Sequence, residues 1–126
     1  MLFRSLQLNK KTIIYNACGK FSINQSASLV KKSNCVFTHD TGLMHIAAAF
    51  KKEVFSIWGN TIPAFGMYPY YGKSSTQHYD VIEINKLWCR PCSKIGYDKC
   101  PKGHFKCMEL IAVNEIVNLV NHHLGK

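Results

Sequence analysis

Acid is scarce in this chain of 126 residues: seven Asp and Glu stand against sixteen Lys and Arg, a formal net charge of +9. Up to Lys52 there is one carboxylate, Asp40. Long apolar runs are missing too. The longest near the middle is LMHIAAAF, eight residues with a histidine inside, whereas a membrane-spanning helix needs about 20. The opening MLFRSLQLNKK holds no apolar stretch long enough for a secretory signal, so the chain reads as intracellular. No G-x-G-x-x-G turn is present, which excludes a complete dinucleotide-binding unit. A basic stripe with interleaved aromatics, the mark of a nucleic-acid groove, is also lacking. The lysine pairs at 10–11, 31–32 and 51–52 fall where elements are expected to begin or end, as solvated charges do.

What is there fits one soluble domain: 47% hydrophobic and 18% charged residues in a chain long enough for a single core. TIIYN (12–16) reads as a short strand. Ser22 is a candidate cap for a helix over 23–32, with Ile23, Ala27 and Val30 at helical spacing. NCVFTH (34–39) reads as a buried strand, TGLMHIAAAF (41–50) as a helix whose alanines permit close packing, and EVFSIW (53–58) as another apolar strand. A loop rich in Gly, Pro and aromatics (59–78) precedes a strand at 79–84. The tail at 112–124 sets Val113, Ile116, Val117, Val120 and Leu124 on one helical face. Continuous apolar strands separated by helices predict a Rossmann-like α/β fold, a parallel sheet with helices on both faces. Four strands are fewer than such a domain usually carries, so the sheet is either very small or part of a larger one.

Asp40 lies in THDTGLMH, between a predicted strand and the next helix. Ligands of open α/β sheets bind beyond the carboxyl ends of the strands. A helix start there offers free amides and a positive dipole end, which suit phosphate. Gly42 lets a ligand approach the backbone, Thr41 adds a hydroxyl, and His45, one turn on, adds a ring N–H. The plainer alternatives are Asp40 as a helix cap, Gly42 as relief of crowding and His45 as a core histidine.

Six cysteines are many for an intracellular chain. Cys18 and Cys35 stand alone and are expected to be small buried hydrophobes. Cys89, Cys92, Cys100 and Cys107 form C-x2-C-x7-C-x6-C, which can supply four thiolates to zinc, with His104 as an alternative ligand. Only one C-x2-C knuckle is present, however, and packed reduced cysteines explain the cluster equally well; no metal is assigned. Phe65, Tyr68, Tyr70 and Tyr71 could stack on a base, line an acceptor cleft or simply pack within their own loop.

Three blocks carry a family resemblance: Gly19-Lys20-Phe21-Ser22-Ile23, then Asp40-Thr41-Gly42-Leu43-Met44-His45, then Gly59-Asn60-Thr61-Ile62-Pro63. In this order they resemble the C-terminal part of glycosyltransferase family 9, the heptosyltransferases of lipopolysaccharide core assembly. The cysteine blocks, Cys89-Arg90-Pro91-Cys92 and Cys100-Pro101-Lys102-Gly103-His104-Phe105-Lys106-Cys107, are similar to a tail found in many members. The resemblance covers roughly residues 12–124. It implies a B-type glycosyltransferase fold whose C-terminal domain binds a nucleotide-sugar donor, ADP-heptose in the best-known members. Thr61, just past a strand's carboxyl end, is tied to the donor by its place, and the resemblance implies diphosphate contacts from Thr41, Gly42 and His45, with Asp40 shaping the turn. It implies no required metal or other cofactor.

The same resemblance places the lipopolysaccharide acceptor site and the proposed catalytic base in an N-terminal domain that these residues do not match. The expectation is a single truncated donor-binding domain over 1–126, with no catalytic residue assigned. Asp40 is a poor base, because a helix N-terminus keeps a carboxylate ionised. The implied location is cytoplasmic, at most in peripheral contact with the inner face of the inner membrane, with no nucleic-acid partner. Two alternatives follow from the same residues: a small basic zinc module that binds nucleic acid, supported by the charge and the cysteines, and an inactive structural remnant.

Overall fold

The structure is a computed structural model that describes residues 15–73, 79–123 and 125. Its centre is a sheet of three parallel strands in the order β1 (Cys35–His39), β2 (Glu53–Trp58) and β3 (Tyr79–Glu83). Helices α1 (Ile23–Lys32) and α2 (Gly42–Ala49) alternate with the strands, and α3 (Lys106–Glu109) and α4 (Val113–His123) close the chain. The predicted α/β parallel sheet is therefore present. Residues 12–14 of the predicted first strand lie outside the described residues, and Tyr15 and Asn16 are not in a strand.

Helix α1 begins where its cap predicts. Gln25 donates its amide to Ser22 Oγ, and the Ser22 amide donates back to Gln25 Oε1. This reciprocal pair satisfies two donors that a helix start otherwise leaves open. Lys31 and Lys32 in the last turn complement the dipole. The buried face differs from expectation. Val30 packs on the core, but Ile23 is 61% exposed.

Side chains alternate along β2, so its two faces meet different partners. Val54 and Trp58 join Met44 and Ala47 of α2 in the core, flanked by Val30, Val36, Met67 and Tyr71. Each large side chain buried there contributes about 1.5–3 kcal/mol, and Ala47 and Ala48 let α2 approach closely. Phe55 points the other way and stacks on Phe37 at 4.4 Å between ring centres. That second face is covered thinly. The His123 ring of α4 meets Phe55 edge-on, and its Nε2 lies 2.7 Å from Glu53 Oε2. Val113 and Val117, predicted for the inner side of this helix, are exposed. Cys18 is exposed and Cys35 half-buried, so neither is the core hydrophobe expected; Cys18 lies before α1, outside the packed layers.

Tyr68 and Tyr71 of the aromatic loop pack at the amino ends of β2 and β3. Tyr71 donates its hydroxyl to the Lys52 carbonyl at 2.8 Å. The Tyr68 and Tyr71 rings stack near Tyr79, at 6.3 and 6.4 Å. Since β2 starts at Glu53 and β3 at Tyr79, these rings sit at the far end of the sheet from any ligand at the carboxyl ends.

Candidate functional site

The carboxyl ends of β1 and β2 deliver two turns side by side. After His39, the chain passes through Asp40 and enters α2 with Thr41 as its N-cap in extended backbone. Thr41 makes no side-chain cap bond, and no acidic residue occupies the first turn. Its hydroxyl instead lies 3.1 Å from that of Thr38, which donates to the His39 carbonyl at 3.0 Å. The amides that open α2 are thus left to solvent or a ligand. The cap is Thr41 and not Asp40, as the plainer alternative had it. Asp40 Oδ2 instead accepts from Thr61 Oγ1 at 3.4 Å, which joins the turn after β1 to the turn after β2.

Gly42 has no positive φ, and a Cβ placed on it meets nothing within 4 Å. Crowding therefore does not require glycine there. An approaching anion does give a reason for the missing Cβ. His45 is exposed one turn along, not a core histidine, so its ring is free to face solvent.

A cavity of about 320 Å³ opens beside these turns, lined by His39, Asp40, Asn60 and Thr61 on one side and by Ile95, Tyr97, Phe105 and Met108 on the other. The structure thus brings Asp40 and the buried Thr61 together. Thr41, Gly42 and His45 are exposed on the open start of α2 next to Asp40 and do not line the cavity. The wall formed by residues 95–108 was not foreseen. No motif marks Ile95 or Tyr97, and only contact with the turn after β2 identifies them.

The cysteine segment folds onto this end of the sheet with all its cysteines free. Cys89 Sγ lies 3.7 Å from His104 Nε2, and Cys92 Sγ donates to the Cys89 carbonyl at 3.4 Å. Burial pushes the Cys92 and Cys107 thiols up, aided by neighbouring cysteines. The Cys100 thiol is drawn down by backbone amides, foremost that of Phe105 and then those of Lys102, His104 and Gly103. Among the described residues no group of three or more His, Cys, Asp or Glu is placed to hold a metal ion.

A family model described as glycosyltransferase family 9 (heptosyltransferase) matches residues 3–99. The chain belongs to glycosyltransferase family 9. That match contains Asp40-Thr41-Gly42, His45 and Thr61, as well as Cys89 and Cys92. Lipooligosaccharide heptosyltransferase 2 of Haemophilus influenzae is 38% identical over 50 residues, 40% of this chain and 14% of the relative. The protein of the same name from Campylobacter jejuni is 24% identical over 116 residues, 88% of this chain and 34% of the relative. Lipopolysaccharide heptosyltransferase 2 of Escherichia coli is 27% identical over 64 residues, 51% of this chain and 18% of the relative. The family 9 chain thus spans about a third or less of the length of the curated relatives it matches. No solved structure matches it.

Proposed function

We propose that this chain binds the diphosphate of a nucleotide-sugar donor, ADP-heptose or a close analogue, for transfer of the sugar to lipopolysaccharide core. The observation that carries this reading is the uncapped start of α2 at the carboxyl end of a parallel sheet, with open space at Gly42. Thr41 and Gly42 supply amides to the phosphates, His45 a ring N–H from the second turn, and Thr61 holds Asp40 so that the turn keeps its shape. A helix start favours an anion by about 0.3–1 kcal/mol when exposed. The same field stabilises the diphosphate as it leaves, which is where transfer to an acceptor develops negative charge. This binding chemistry requires no metal.

The acceptor and its base belong, on this reading, to an N-terminal domain of the B-type fold outside these residues, so no residue here is assigned as catalytic. Among the described residues no helix is long and apolar enough to cross a membrane. On this reading the lipopolysaccharide acceptor is met by peripheral contact at the inner face of the inner membrane.

Calorimetric titration with ADP and AMP tests the reading. ADP binds saturably and about tenfold more tightly than AMP, since the second phosphate is the group recognised. Gly42→Asp places a carboxylate where the phosphate sits and abolishes binding. It leaves the fold intact, because nothing lies within 4 Å of the new Cβ. His45→Ala weakens binding severalfold. Absence of saturable ADP binding, or ADP binding untouched in Gly42→Asp, overturns the proposal.

A further inference from the structure

We propose that Arg90 is a positioning residue of the donor site, setting the turn after β2 and, through Thr61, the Asp40 carboxylate. The inference rests on the donor-binding reading above. The Arg90 side chain is 5% exposed, yet all its bonds go to the ends of β2 and β3. Its Nε donates to the Gly59 carbonyl. One terminal nitrogen donates to the Ile84 carbonyl at 3.1 Å, and the other to the Thr61 carbonyl at 2.9 Å and to the Glu83 carboxylate. A buried guanidinium is tolerated only when its donors are matched in this way.

The two carbonyls from the turn, Gly59 and Thr61, flank Asn60, so one planar fork fixes both sides of it. Thr61 then has its hydroxyl aimed at Asp40. The residues after Arg90 hold the turn again. The Cys92 amide donates to the Asn60 carbonyl at 2.9 Å, and Asn60 Nδ2 donates to the Tyr97 carbonyl at 2.9 Å. Gly96 sits at φ +78, and a Cβ there would come within 2.7 Å of Asn60 Oδ1. Packing against Met108 and Gly96 confines the turn, and the hydrogen bonds set its orientation. A cavity of about 470 Å³, lined by Ile62, Pro63, Glu83 and Arg90, lies on one flank, and the cavity beside Asp40 lies on the other. Lysine keeps the charge but not the fork.

The test is a double-mutant cycle on ADP affinity, read together with amide exchange. Thr61→Val alone weakens ADP three- to fivefold and Arg90→Lys at least tenfold. The double variant is no weaker than Arg90→Lys, because both act through one linkage. In Arg90→Lys the Cys92 amide exchanges about tenfold faster, while the β1–β2 ladder is unchanged. If Arg90→Lys does not fold, Glu83→Gln removes one charged partner of the fork and shows the same pattern at two- to threefold. Factors that multiply in the double variant, or exchange that rises evenly across the sheet, overturn the proposal. If the unaltered chain fails to bind ADP, the donor reading falls by itself. The exchange pattern then still decides whether Arg90 sets the turn: a rise confined to Cys92 and the Asn60 turn supports it, and an even rise or no rise overturns it.

Discussion

Thr61 Oγ1 donates to Asp40 Oδ2 at 3.4 Å, across 21 positions of sequence. The bond joins the exits of two parallel strands and gives the one carboxylate before Glu53 a structural partner. Its length makes it a weak bond, so its value lies in orientation more than in stability.

Two substitutions at Thr61 separate these effects. Thr61→Val keeps the methyl and loses the hydroxyl; Thr61→Ser does the reverse. Thr61→Ser loses a buried methyl, about 0.8 kcal/mol, while Thr61→Val loses only a long bond and costs less. Urea unfolding therefore gives Thr61→Val the higher midpoint. Only Thr61→Val weakens ADP binding, since only it releases Asp40. Equal loss of affinity in both variants removes the orienting role.

The sequence was most legible where structure is set by neighbours. Ser22 and Gln25 are three residues apart, and their reciprocal cap places the start of α1 without tertiary information. Strands β1 and β2 were visible as apolar runs flanking an alanine-rich helix. Which face of α1 turns inward was not visible, since Ile23 and Val30 satisfy the same spacing while only Val30 reaches the core. Nor could aromatic content say at which end of the sheet the Tyr68–Tyr71 loop lies; that depends on the return path to β3. Arg90 was illegible for a different reason. Three of its partners are backbone carbonyls, which carry no residue identity, so no spacing rule marks it. The strand-to-helix switch and then the resemblance to family 9 marked Asp40–His45, the place just past a strand marked Thr61, and the geometry adds that Asp40 faces Thr61 instead of capping α2.

Tyr71 makes stability fall at alkaline pH. Burial first, then the charges of Glu53 and Tyr79, push its phenol up from 10.0 to about 12. The folded state therefore holds this proton more tightly than the unfolded chain. By linkage its contribution is complete below about pH 10 and is lost as pH rises from 10 towards 12. Tyr71→Phe removes the hydrogen bond to Lys52 and costs about 1 kcal/mol at neutral pH. Urea unfolding at pH 7, 10 and 11 shows the unaltered chain losing that advantage as the two curves converge. Curves that stay parallel through pH 11 contradict the assignment.

Cys100 is expected to react before Cys92 and Cys107. The thiolate is the reactive form, and the amides of residues 102–105, led by Phe105, point their partial positive charge at this sulfur. Cys92 and Cys107 lie in the opposite situation, their ionised forms disfavoured chiefly by burial and then by neighbouring sulfurs. Cys107 is also only 5% exposed, so access and ionisation act in the same direction. Limited iodoacetamide treatment near pH 7.5, followed by peptide mass spectrometry, finds Cys100 alkylated several times faster than Cys92 or Cys107. In 8 M urea the amide nest is gone and the three rates converge, which ties the difference to the fold and not to local sequence. If Cys92 or Cys107 instead reacts as fast as Cys100 in the folded chain, the loop from Lys102 to Phe105 does not hold its amides on the sulfur.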